Sequence, residues 1–313
     1  MAELTPIVLD CSSEDAKLHR LQRKITDGDF EFHGILPDTD EGYAEVYEKI
    51  EQAEQEVVGD NYVLGTAAEI DDVLTVRGSG RVLLTAEHAT DHWTKDSSGL
   101  VIPKTGERGT GGLAYLLAGE TNNSAVIANG QQRSNATWGE HSVKAAMLEV
   151  LAKDINSAHF SIHGLARGLA LRPEDYWGYS VMIGVGDGPS NATRTLVWDY
   201  LVPGAEEMGL KVGVNQPFIS FDPRTDLPRM LNKWHNATKV FKGPPLGTTA
   251  YAAQIALEAG KADSYVAAQL ELSGAIRYQP NAPHVWPNRQ NQQFGAYLGY
   301  MFMKLAIESV GKL

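Results

Sequence analysis

The sequence predicts an α/β fold, a mostly parallel or mixed central sheet with helices on both faces. Three observations point to it. Short apolar runs alternate with amphipathic stretches long enough to be helices, the pattern of strands buried on both sides. The 313 residues are 43% hydrophobic and 21% charged, enough apolar material for a large core. Glycine and proline concentrate between the runs, where the chain must turn.

The first part of the chain differs from the rest. Residues 1–77 read as an acidic N-terminal extension or cap, and residues 78–313 as the α/β domain. The stretch from Asp27 to Asp60 is strongly acidic and contains a helical segment, Glu41 to Val58, either packed on the main domain or presenting a solvated acidic face. After Gly78, strands are expected at Arg81–Ala86, Ser124–Ala128, His159–Ile162, Ser180–Val185, Lys211–Val214 and Tyr265–Leu272. Helices are expected at Gly111–Ala118, His141–Ile155, Arg194–Met208, Thr248–Ala259 and Phe294–Val310. Loops fall at Ser97–Gly112, Gly184–Pro189 and Lys242–Gly247.

Composition narrows the function. With 27 Lys and Arg against 39 Asp and Glu the formal charge is −12, and no basic patch stands out, so nucleic acid is not an expected partner. Cys11 is the single cysteine, which excludes an intramolecular disulfide and a multi-thiolate zinc site. The N-terminus is acidic where a signal peptide starts basic, and no run approaches the ~18 apolar residues of a membrane span. The expected setting is cytoplasmic, with no membrane partner.

In open α/β sheets, ligands bind beyond the carboxyl ends of the strands. Polar residues of one class stand there three times. Arg81–Ala86 is followed by Glu87 and His88, His163 closes the next such strand before a glycine, and Glu271 lies near the end of Tyr265–Leu272. Each alone is ordinarily structural. Together they resemble the donor set of a catalytic metal, since two imidazoles and a carboxylate leave a coordination position open for water. The third ligand is either Asp91, in His88-x-x-Asp91, or Glu107, in the glycine-rich turn Glu107-Arg-Gly-Thr-Gly-Gly-Leu-Ala114.

A strand-end histidine combined with Glu-x-Gly-Thr-x-x-Leu-Ala resembles the metal site of phage-type poly-γ-glutamate hydrolases. The segments Glu87-His88-Ala89, Ser161-Ile162-His163-Gly164 and Gln269-Leu270-Glu271-Leu272 resemble N-formylglutamate amidohydrolases. The likeness runs from Arg81 to Leu313 and implies the zinc metallocarboxypeptidase-like fold (phosphorylase/hydrolase-like). It also implies one zinc ion held by His88, Glu107 and His163, with Glu271 as general base. His88 and Glu107 stand 19 positions apart, a longer separation than the family shows, which keeps Asp91 as the alternative ligand.

The implied activity is hydrolysis of the amide bond of a small, carboxylate-bearing N-acyl amino acid. An arginine would hold the oxyanion or the substrate carboxylate. Arg133 and Arg167 are the catalytic candidates, with Asn135, Arg108 and Arg277 as substrate-binding ones. A carboxypeptidase or γ-glutamyl peptide hydrolase on the same fold is the neighbouring alternative. A binding module without catalysis is the alternative from another class.

Overall fold

The computed structural model describes residues 40–59, 73–95, 101–130, 142–153, 157–164, 180–186, 189–214, 218–221, 228–231, 247–278 and 289–313. Its strands are β1 (Val73–Val76), β2 (Val82–Ala86), β3 (His92–Lys95), β4 (Val101–Lys104), β5 (Ser124–Ala128), β6 (Ala158–Gly164), β7 (Val181–Gly184), β8 (Val212–Val214), β9 (Phe218–Phe221), β10 (Pro228–Leu231) and β11 (Val266–Leu272). Its helices are α1 (Asp40–Val57), α2 (Thr110–Thr121), α3 (Ser142–Lys153), α4 (Asn191–Thr195), α5 (Val202–Glu207), α6 (Thr248–Glu258) and α7 (Arg289–Val310). A π-helical segment, Leu196–Leu201, joins α4 to α5.

A seven-stranded sheet, in the order β1-β5-β2-β6-β11-β7-β8, forms the centre. The middle strands β5, β2, β6 and β11 are parallel, while β1 runs antiparallel to β5, and β7 and β8, parallel to each other, run antiparallel to β11. The sheet is therefore mixed around a parallel heart, and the expected strands and helices lie within a few residues of the observed ones. Three elements were not expected: the edge strand β1 and the hairpins β3–β4 and β9–β10. The Gly- and Pro-bearing segment Ser97–Gly112, expected as loop, contains β4 and the start of α2. Pro103 sits on the two-stranded β3–β4 ribbon, where a missing N–H is tolerated.

Side chains alternate across the pleat, and both faces are covered. Val82, Leu84, Ala86, Phe160, Ile162, Ala268, Leu270 and Leu272 point into the larger core, which α1, α2, α5, α7 and the π segment complete. Leu83, Val126 and Ala128 point the other way, against α3 and α6. That second face carries the polar residues of interest. Thr85 pairs with Ser161, Ser161 with Gln269, and His163 with Glu271. Parallel strands bring these positions level at the carboxyl ends of β2, β6 and β11.

Candidate metal centre

β2 ends at Ala86, and the chain turns at once through Glu87 and His88. The 19-position gap to Glu107 is closed by the β3–β4 hairpin, which runs out and returns with His92 opposite Lys104. Two hydrogen bonds lock its base. The Gly106 N–H donates to Asp91 Oδ1 at 2.7 Å, and the Glu107 N–H donates to the His88 carbonyl at 2.6 Å. Residues distant in sequence thus become neighbours, and Asp91 serves the turn.

Glu107 reaches both imidazoles. His88 Nδ1 lies 3.2 Å from Glu107 Oε1, and His163 Nδ1 lies 3.0 Å from Glu107 Oε2. The Gly164 N–H donates to the same Oε2 at 3.0 Å. Among the described residues, His88, Glu107 and His163 are the group of metal-ligating side chains that converges, with donor atoms all within 4.8 Å of one another. Ligand atoms about 2 Å from a tetrahedral zinc stand roughly 3.3 Å apart. The two His–Glu separations, each to a different oxygen of Glu107, are of that size, and two imidazoles with a carboxylate are donors of the kind a small divalent cation takes.

The opposite edge of His163 is fixed by Glu87, a residue the motif reading noted beside His88 but gave no role. His163 Nε2 lies 3.1 Å from Glu87 Oε1. Ser161 donates to the same oxygen at 2.6 Å, Thr85 donates to Oε2 at 2.9 Å, and the Thr248 hydroxyl at the start of α6 also donates to Oε1. Glu87 is 1% exposed, so these bonds replace water. The arrangement turns Nδ1 of His163 toward Glu107, and a carboxylate behind a ligating imidazole orients it and raises its basicity. His92 stacks on His88 with ring centroids 4.3 Å apart and 11° between planes, holding that ring as well.

Electrostatics favour positive charge at this point. Burial opposes ionisation of Glu87 and Glu107, yet His163, His88 and their hydrogen bonds outweigh it and hold both carboxyls below the usual carboxylate range. Burial likewise disfavours a charged His163, but Glu87 and Glu107 hold its pKa well above the ordinary histidine value. Two buried carboxylates require a cation, whether proton or metal. His159, deeper on the same face, behaves oppositely: burial pushes it down to about 4. Neutral, it donates from Nε2 to Thr85 at 3.0 Å.

Glu271 stands level with His163 on β11, is 9% exposed, and accepts from Gln269 Nε2 at 2.8 Å. Arg277, just past β11, is buried beside Gly164, where a Cβ would fall on the guanidinium. Burial pulls its pKa down, and Glu107, Glu54 and Glu271 counter this. Its Nε and Nη1 have no hydrogen-bond partner among the described residues. Arg108 follows Glu107 directly and is partly exposed. Arg133, Asn135 and Arg167 lie outside the described residues.

A cavity of about 290 Å³ elsewhere, lined by Ser190, Thr193, Thr249, Leu257, Tyr265 and neighbours, opens at the amino end of β11. It shares no residue with the convergent group. The convergent group lies at the other end of the sheet's parallel strands.

No family profile and no curated protein matches the chain. Among solved structures, it is similar to an N-formylglutamate amidohydrolase from Ralstonia eutropha JMP134, at 12% identity and a TM-score of 0.44, over 78% of this chain and 99% of that one. A gene product of Agrobacterium tumefaciens follows at 13% identity and a TM-score of 0.38, over 82% and 99%. The pyroglutamyl peptidase I of Bacillus amyloliquefaciens has 11% identity and a TM-score of 0.33, over 74% and 96%. At such values the chemistry has to be read from the side chains. No helix of the described residues is long and apolar enough to cross a membrane.

Proposed function

We propose that the chain is a metal-dependent amidohydrolase that cleaves the amide bond of a small N-acyl amino acid, with N-formylglutamate as the nearest substrate type and zinc as the cation. The observation that carries this reading is the convergence of His88, Glu107 and His163 at the ends of adjacent parallel strands, with Glu271 in register beside them. When bound, a divalent cation there would supply Lewis acidity toward a carbonyl and lower the pKa of water.

The chain's own residues do the rest. His88, Glu107 and His163 hold the cation, and Glu87 fixes the tautomer of His163. Glu271 takes the proton of the attacking water as the carbon–oxygen bond forms and the carbonyl becomes an oxyanion, and returns it to the leaving nitrogen as that oxyanion collapses and the carbon–nitrogen bond breaks. Arg277 turns unpaired N–H groups to the oxyanion or to the substrate carboxylate. Arg108, Arg133, Asn135 and Arg167 complete the set of anion-binding candidates.

Elemental analysis of the purified chain beside His88→Ala, His163→Ala, Glu107→Ala and Asp91→Ala tests the centre. About one zinc per wild-type chain, lost in the first three variants and kept in Asp91→Ala, is the expected result. Turnover of N-formylglutamate against a panel of N-acyl amino acids then tests the reaction. Preference for γ-glutamyl or C-terminal peptide bonds would move the function to the neighbouring peptidase. No metal in the wild-type chain under metal-replete conditions would sink the hydrolase reading and leave a binding module.

A further inference from the structure

Helix α1 precedes the α/β domain expected from the sequence, yet one of its carboxylates is built into the turn behind the metal centre. Glu54 is 2% exposed. Its Oε1 accepts the Gly109 N–H at 2.5 Å, and its Oε2 accepts the Gly112 N–H. These are amides that the start of α2 leaves unpaired, and Gly109, its N-cap, offers no side-chain bond of its own. A carboxylate brought from 55 positions away supplies the cap.

The glycines of this turn record how close the approach is. A Cβ on Gly112 would meet the Glu54 backbone nitrogen at 2.5 Å, and one on Gly111 would meet Val58 Cγ2 and Ala89 Cβ, each at 3.0 Å. Gly109 has φ +84°, and a Cβ there would run into the Tyr278 carbonyl. Glu107 lies two residues before Gly109, its N–H tied to His88 and its carbonyl accepting the Thr110 hydroxyl at 2.7 Å. The segment bearing the carboxylate ligand is therefore clamped on one side by His88 and on the other by Glu54. The charge of Arg277 is felt at Glu54 as it is at Glu107 and Glu271.

We infer that Glu54 is a positioning residue of the metal centre: from outside the sheet it fixes the turn Glu107–Gly112 so that Glu107 meets both imidazoles. The inference rests on the metal reading above. It assigns a role in metal affinity to a helix that is otherwise an acidic extension.

The test is titration of the metal-free full-length chain with cobalt(II), read by its visible absorption, for wild type, Glu54→Gln and Val57→Ala. Val57 is buried on the same helix, so its truncation loosens α1 while leaving the carboxylate in place. Glu54→Gln should bind cobalt about tenfold more weakly, with a changed absorption band, in the range of losses from residues that orient ligands. Val57→Ala should stay within about twofold of wild type even where its melting temperature falls as far. Glu54→Asp keeps the charge but draws it back by one methylene; should Glu54→Gln fail to fold, the same weakening is expected there. Unchanged affinity in the Glu54 variants, or an equal loss in Val57→Ala, overturns the inference and leaves the metal reading intact. A wild-type chain that takes up no cobalt overturns both.

Discussion

On one face of the parallel strands stand Leu84, Ala86, Phe160, Ile162, Ala268, Leu270 and Leu272; on the other, one residue out of phase, stand Thr85, His159, Ser161, His163, Gln269 and Glu271. Both sets are buried, with His159, Ser161 and Thr85 as inaccessible as Phe160. The faces differ in how burial is made tolerable. The apolar face gains by removing area from water, so its contributions are local to each side chain. The polar face holds because its members largely satisfy one another, His159 Nδ1 being without a partner among the described residues, and Glu87 alone accepts from Thr85, Ser161, Thr248 and His163. Stability is therefore expected to reside on the first face and chemistry on the second, and each can be perturbed separately.

The largest separation should come from Phe160→Ala against Glu271→Gln. Phe160 is fully buried, and its truncation should cost about 3–5 kcal/mol of stability. Activity per folded molecule should survive below the melting temperature. Glu271→Gln should lower turnover by about 10²–10⁴-fold while leaving bound metal and melting temperature near wild type. Thermal denaturation and steady-state kinetics on the same preparations check both. Loss of metal in Glu271→Gln would make Glu271 a ligand and erase its role as base.

A smaller effect contrasts Glu54, buried behind the site, with the carboxylates inside it. Burial pushes the Glu54 carboxyl up to about 7, although the Gly109 and Gly112 amides, Arg277 and Arg108 pull it down. Between the ordinary value of 4.5 and about 7, the folded chain binds this proton and the unfolded chain does not. The contribution to stability is thus complete below pH 4.5 and is lost as pH rises through about 7. The shift corresponds to roughly 3 kcal/mol. Glu87 and Glu107, held low, act in the opposite sense and lose their contribution only as pH falls below the usual carboxylate range. Denaturant melts of wild type and Glu54→Gln at pH 5 and pH 8 should show the variant gaining relative to wild type at the higher pH. Parallel curves would remove Glu54 as the titrating group.

How much of this was legible in the sequence follows from the range of the contacts. The strands were readable because each is a short apolar run, and His88, His163 and Glu271 were readable because each ends one. The hairpin β3–β4 was not, since His92-Trp-Thr-Lys95 pairs outside the main sheet and carries no strong alternation. Glu107 could be named only through its glycine-rich turn. The supports were invisible for a plainer reason: Glu54 lies 55 positions from Gly109, and Thr248 lies 161 positions from Glu87. A window over the sequence shows a local period and never a partner that far away. Arg133, Asn135 and Arg167 lie outside the described residues, and their part in the proposed chemistry rests on the sequence.

The finest test acts within the polar face, on Glu87→Gln. The substitution keeps the shape and one acceptor but removes the buried charge that holds His163, and its amide group meets the hydroxyls of Thr85, Ser161 and Thr248 with donors where the carboxylate accepted. Hydroxyls can rotate and accept in turn, so much of the network survives. The imidazole is the element that loses, because Nε2–H donates best to a carboxylate and the paired charge is what makes Nδ1 a strong ligand. Metal affinity should therefore fall by roughly 10- to 100-fold, with His163→Ala losing the metal altogether. The direction at His163 is also testable without metal: by NMR, its pKa in the metal-free chain should fall toward the ordinary histidine value in Glu87→Gln, because one of the two carboxylates holding its proton is gone. A His163 that titrates identically in both chains would mean that Glu107 alone sets its charge, and would reduce Glu87 to a hydrogen-bonded member of the core.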